Sequence, residues 1–198
     1  MKPHVVDIDL ENLYLTPKEC MRSVFWELDE EDPDLDPFFQ KEEWFSSTLL
    51  EWGRCGKLVV EDEEALAFSQ YAPGTLFPRL RRFRTGRVSA DAAYLSYCFV
   101  VEGHRRRGLG LQLVRAIARD VVERGYVALE AIGDRRWEGD WLLPYEFLHR
   151  IGFHVLHDDE RYPLMRLDLY VRHEMPVAHE RVARPLPITT PAPAFDVV

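Results

Sequence analysis

Near its start the chain alternates Val6, Ile8 and Leu10 with Asp7, Asp9 and Glu11, a period of two that predicts a strand with one wet face. Thr16 followed by Pro17 then reads as an N-cap with proline at the first helical position, and Cys20, Met21, Val24, Phe25 and Leu28 form a helical stripe behind it. After an acidic break, Phe38, Phe39, Trp44, Phe45, Thr48, Leu49 and Trp52 predict a second helix that closes near Gly53. Residues 57–60 and 65–71 are apolar runs joined by four acids, the pattern of a β-hairpin. A loop rich in proline, glycine and arginine over residues 72–90 leads to a β-branched and aromatic run at 94–101.

Residues 105–110, Arg-Arg-Arg-Gly-Leu-Gly, separate that run from an amphipathic helical pattern at 111–124, which Gly125 ends. A further strand is predicted at 126–132, with Val127, Leu129 and Ala131 on one face and Ala128, Glu130 and Ile132 on the other. Strand, helix, strand over this length implies a right-handed parallel crossover. Pro144 confines the next helix to about 144–151, capped by Gly152. Strands at 153–156 and 164–171 flank a turn at 158–163. Beyond residue 175 five prolines and no periodicity predict an extended tail, so the chain reads as one domain over 1–174 and a proline-rich tail over 175–198.

With 198 residues and 46% apolar content the chain supports one core. No apolar run approaches the roughly 18 residues of a membrane helix, and the N-terminus lacks a signal-peptide pattern, so a cytoplasmic protein without membrane contact is expected. Cys20, Cys55 and Cys98 are odd in number and widely spaced, which argues against a disulfide framework or a metal site. A net charge of −9 disfavours nucleic-acid binding, which relies on cationic side chains to neutralise phosphates. The charge is uneven: residues 27–36 hold seven acids and residues 79–87 five arginines. Both segments read as solvated loops, the second also suited to an acidic substrate group or a phosphate.

The chemistry lies in the turn at 105–110. Glycines between a strand and a helix let the backbone approach an anion, the first helical N–H groups point at it, and the helix dipole and arginines add positive charge. Arg105, Gly108 and Gly110 stand at the three defining positions of a Gln/Arg-x-x-Gly-x-Gly/Ala turn. Phe147 to Phe153 close a short helix with Gly-Phe. These two motifs, in an order of elements running from about Val5 to Val171, resemble the GNAT superfamily of N-acetyltransferases.

The resemblance implies an α/β fold, with a mixed, mostly antiparallel sheet of about six or seven strands and about four helices, splayed at two central parallel strands. It implies acetyl-CoA as co-substrate and no metal. The backbone of Arg105, Arg106, Arg107, Gly108, Leu109, Gly110 and Leu111 would hold the CoA pyrophosphate. Phe99, Val100 and Val101 would pair with pantetheine like an added strand, leaving a backbone N–H near the thioester carbonyl. The reaction implied is direct attack by a primary amine, of a small molecule or a peptide, in a ternary complex.

Two positions depart from the family pattern. Where many members carry a tyrosine able to protonate the leaving thiolate the chain has Leu148, and near the usual glutamate base it has Tyr94. Tyr145, His149 and Glu130 are the replacements that the sequence offers. The same departures keep open a non-catalytic acyl-CoA sensor or interaction module on this fold. The tail is long enough to reach a second protomer in a homodimer.

Overall fold

A computed structural model describes residues 2–30, 33–138 and 141–169; the proline-rich tail lies outside the described residues. Among the described residues eight strands, β1 (His4–Asp7), β2 (Gly56–Glu61), β3 (Glu64–Ala72), β4 (Ala92–Val100), β5 (Ala128–Asp134), β6 (Leu143–Pro144), β7 (His154–His157) and β8 (Leu164–Asp168), make one sheet in the order β1-β2-β3-β4-β5-β8-β7, with β6 paired to β5 off that path. Every ladder is antiparallel except β4–β5 and β5–β6. Among the described residues no helix is long and apolar enough to cross a membrane.

β1 (His4–Asp7) is shorter than the alternation predicts. The Asp9 carboxylate accepts the N–H groups of Glu11 and Asn12, turning the chain and leaving Leu10 exposed. α1 is a single turn, Lys18–Met21, rather than a helix running to Leu28. Thr16 makes no capping bond, and Pro17 takes the N-cap position. Of the predicted stripe Cys20, Met21 and Val24 are buried and Phe25 and Leu28 half-buried, but they go inward through turns, and Trp26, outside the stripe, is buried with them. Those turns are tied down from outside: the Arg79 Nε donates to the Phe25 and Leu28 carbonyls at 2.9 and 3.1 Å.

α2 (Pro37–Glu51) begins where the Asp36 carboxylate accepts the Phe38 N–H, and it ends before Gly53 at φ +97°. β2 (Gly56–Glu61) and β3 (Glu64–Ala72) form the predicted hairpin, and Asp62 and Glu63 both adopt the left-handed region that a two-residue turn demands. The loop at 73–91 is built of 3-10 turns, not an unstructured solvated segment.

β4 (Ala92–Val100), α3 (Leu109–Glu123) and β5 (Ala128–Asp134) form the crossover. Ala92, Ala93 and Tyr94 pair in parallel with Ala128, Leu129 and Glu130. β6 (Leu143–Pro144), α4 (Tyr145–Arg150), β7 (His154–His157) and β8 (Leu164–Asp168) complete the described fold. One face of the sheet packs on α1, α2 and the 3-10 loop through Phe45, Phe68, Phe77 and Tyr94. The other packs on α3 and α4 through Leu95, Ile117, Leu129 and Leu148.

Candidate active site

The β4–β5 ladder ends at Tyr94 and Glu130, and beyond that rung the strands part. Three features hold the gap open. The Ile132 N–H reaches only a side chain of β4, the Tyr94 hydroxyl at 3.5 Å. Ser96 is an extra residue in β4, since Gln70 faces Tyr97 while Tyr71 faces Leu95; such a bulge turns the strand and breaks its pairing. Finally, β6 pairs with Gly133 and Asp134. The Gly133 N–H is bonded to Pro163 on the β8 side, so β6 occupies the edge of β5 that faces β4. Residues 92–97 of β4 are buried, whereas Cys98, Phe99 and Val100 are half-buried, as a strand losing one neighbour must be.

At the open end of the gap lies the glycine turn. Gly108 is the N-cap of α3 at φ +80°, in open space, so glycine is demanded here by backbone conformation rather than by crowding. Arg106 is also left-handed, at φ +62°. The first helical bond runs from the Gln112 N–H to the Gly108 carbonyl at 3.0 Å, which leaves the N–H groups of Leu109, Gly110 and Leu111 without helical acceptors. Gly110 serves another purpose: a Cβ there would stand 3.2 Å from the Phe147 ring and 3.5 Å from Cys98 Sγ, so α3 packs close to β4 and α4, and a larger side chain would push the Phe147 ring aside.

Arg105, Arg106, Arg107 and Gly108 are exposed, and Leu109 is buried beneath them. Arg105 Nε donates to the Val100 carbonyl at 3.2 Å, and Arg107 lies 2.7 Å from His104 Nδ1. The turn thus presents free N–H groups and three guanidinium groups beside a half-open strand. Those features fit a diphosphate with an extended chain attached to it.

The three proton-transfer candidates do not converge. Glu130 is fully buried; one oxygen accepts from Arg166 at 2.9 Å and the other from the Ser89 N–H at 2.9 Å. Tyr145, half-buried at the start of α4, stands directly off the end of β5, its Cα 3.3 Å from where a Cβ on Gly133 would be. Its ring stacks on His149 at 5.9 Å and lies under Arg135 at 5.2 Å. Among the described residues its hydroxyl has no hydrogen-bond partner. His149 is exposed, and Leu148 turns fully into the core. Cys98 donates to the Gly110 carbonyl at 3.8 Å, and burial pushes its thiol up to about 12, which suits packing and not nucleophilic attack.

Beside the bulge lies a buried polar cluster that the sequence reading missed. Lys41 and Glu27 form an ion pair with both side chains fully buried. Gln70 donates to Glu27 at 2.6 Å and accepts from Lys41 at 3.3 Å. Lys41 Nζ sits 4.6 Å from the Tyr97 ring centre, and the Tyr97 hydroxyl is 2.5 Å from Ser23 Oγ. Burial lowers the Lys41 pKa, with Glu27 opposing it. One sign was visible in the sequence: Lys41 falls on the inward stripe of α2, at helical spacing with Phe45 and Thr48. Glu27, read as part of a solvated acidic run, belongs to the core instead.

Residues 77–162 match the family model described as FR47-like protein. No curated protein matches the chain. Among solved structures, the chain is similar to an N-acetyltransferase from Staphylococcus aureus Mu50, with TM-score 0.59 and 14% identity over 86% of this chain and 100% of that one. It is also similar to the GNAT family N-acetyltransferase YhbS from Escherichia coli in complex with CoA, with TM-score 0.54 and 16% identity over 86% of this chain and 83% of that one. A third likeness is to the PaiA N-acetyltransferase from Thermoplasma acidophilum in complex with coenzyme A, with TM-score 0.54 and 12% identity over 85% of this chain and 99% of that one. At these identities the likeness establishes the fold.

Proposed function

From the premise that this chain has the GNAT fold and carries an FR47-like segment, we propose that it transfers an acetyl group from acetyl-CoA to a primary amine. The observation that carries the reading is the coincidence of two features at one end of β4. The strand loses its parallel neighbour after Tyr94, and the chain then enters α3 through a left-handed Gly108 that leaves three N–H groups free. Solved GNAT-fold structures in complex with CoA support the same assignment.

In this reading the N–H groups of Leu109, Gly110 and Leu111, with the guanidinium groups of Arg105 to Arg107, bind the pyrophosphate of acetyl-CoA. The half-buried edge at Phe99, Val100 and Val101 binds pantetheine. Acetyl-CoA supplies the activated carbonyl carbon. The acceptor amine attacks that carbon and the C–S bond breaks; the nitrogen passes its proton to solvent water and the leaving thiolate takes up a proton. Tyr145 is the residue we assign to protonate the thiolate, because its hydroxyl is uncommitted and it stands at the mouth of the gap. Glu130 is committed to Arg166 and Ser89, and His149 supports Tyr145 from outside by stacking.

Incubating the protein with acetyl-CoA and a panel of primary amines, while following free thiol, tests the proposal. Amine-dependent thiol release is the expected result. Tight CoA binding with no turnover on any amine would instead favour the acyl-CoA sensor, for which the leucine at position 148 speaks.

A further inference from the structure

The loop at 73–91 walls a cavity of about 550 Å³ at the end of β4 remote from the glycine turn. Such a volume lies within the roughly 300–1,000 Å³ of small-molecule sites. Its floor is apolar, formed by Phe77, Leu80 and Val88. Arg81, Arg84 and Arg87 line it from the same loop, and among the described residues no aspartate or glutamate does.

The five arginines of this loop are not equivalent. Arg79 is spent on two backbone carbonyls, and Arg82 pairs with Asp29 and Glu30. Arg84 reaches Asp159 at 3.0 Å, an exposed pair of little strength. Arg81 and Arg87 are exposed and, among the described residues, form no ion pair. The local field is positive despite the net charge of −9. It shows in Asp29, whose carboxyl is held low first by its hydrogen bond to Arg82 and further by Arg79 and Arg81.

The walls are fixed before any ligand arrives. A Cβ on Gly86 would stand 1.9 Å from the Leu80 carbonyl oxygen and one on Gly74 2.8 Å from Val88, so both turns are packed shut. Thr85 Oγ1 donates to the Tyr162 carbonyl at 2.6 Å, and Trp44 stacks on Phe77 at 5.2 Å. A preformed cavity with an apolar floor, two guanidinium groups outside any ion pair and, among the described residues, no acid in its lining suits an anion with an apolar body, and it disfavours a polyamine.

We infer that this cavity is a second ligand site, separate from the glycine turn, and that it binds a small organic carboxylate through Arg81 and Arg87 with its apolar part against Phe77, Leu80 and Val88. The cavity starts at Ala92, and the glycine turn packs through Gly110 on Cys98, six residues along β4 and so about 20 Å away. A CoA held by the turn therefore keeps its 3′-phosphate at the opposite end. At its inner wall, the Ser89 N–H donates to Glu130 on the last parallel rung, so a ligand here lies behind the point where the strands part.

Calorimetric titration with phenylacetate, and with neutral phenylacetamide as control, decides the matter without CoA or turnover. Phenylacetate is expected to bind at least about tenfold tighter than phenylacetamide, more weakly as salt rises, and at least about tenfold more weakly to the R81A/R87A protein. Both positions are exposed and form no ion pair among the described residues, so the variant should melt like the wild type and bind CoA unchanged. Equal binding of the two compounds, no binding of phenylacetate, or unchanged binding in R81A/R87A overturns the inference. Loss of CoA binding in that variant overturns it too, by assigning the loop to the cofactor. Because phenylacetate is titrated alone, a failed acetyltransferase assignment would leave this result standing.

Discussion

Tyr94 and Glu130 face one another on the last rung of the β4–β5 ladder, and each reaches beyond the rung to hold its neighbour: the Tyr94 hydroxyl accepts from the Ile132 N–H, and Glu130 bonds Arg166 and the Ser89 N–H. The carboxylate ties β5, β8 and the 3-10 loop together where the sheet splits. Glu130→Gln should therefore lower stability by about 1–3 kcal/mol, the cost of weakening a buried charged bond. It should leave the acidic limb of any pH–rate profile where it was. A lost acidic limb with an unchanged melting temperature would make Glu130 a base instead.

Lys41 and Glu27 are a fully buried pair, and breaking such a pair strands a charge. Lys41→Met should cost about 3–5 kcal/mol in urea unfolding, whereas the double variant Glu27→Leu/Lys41→Met should recover most of that loss. Equal destabilisation in the single and double variants would show that packing, not charge, governs the site.

Tyr145 and Cys98 separate the two conceivable routes of acetyl transfer. Tyr145→Phe should lower kcat by about a hundredfold with the KM for acetyl-CoA nearly unchanged, the scale of a lost general acid. Cys98→Ala should leave steady-state turnover intact, because a thiol held near 12 is not a thiolate at neutral pH. Acetylated Cys98 detected by mass spectrometry during turnover would contradict the direct route.

Acid should unfold the protein through its ordered carboxylates. The backbone N–H groups of Tyr162 and Arg161 hold the Asp159 pKa below 3.8, and a hydrogen bond from Arg166 does the same for Asp91. A carboxyl depressed in the folded state adds stability that is complete above the unfolded value and is lost as pH falls through the folded one. Melting temperature should thus be flat above about pH 5 and drop below 3.8. Asp159→Asn should flatten that drop, which parallel melting curves would show.

The glycine turn, the hairpin and the crossover were legible because each is written locally. Gly108 sits at a left-handed N-cap, Asp62 and Glu63 in a two-residue turn, and apolar residues at helical spacing along α3. What was not legible depends on contacts distant in sequence. α1 stops at Met21 and its following turns are held by Arg79, more than fifty residues later. Glu27 looked like one acid among seven until Lys41 and Gln70 closed around it. That Arg81 and Arg87 form no ion pair among the described residues emerges only once Arg79, Arg82 and Arg84 are seen to be engaged.

The central claim is that the turn from Arg105 to Leu111 holds the pyrophosphate of CoA, and calorimetry of CoA against pantetheine, on the wild type and on Gly108→Val, tests it most directly. CoA should bind at least about a hundredfold tighter than pantetheine, as three charge-assisted N–H bonds imply. Gly108→Val should erase most of that difference by expelling the left-handed N-cap, while pantetheine binding stays nearly constant. Equal affinity for the two compounds, or a CoA affinity untouched by Gly108→Val, would contradict the claim.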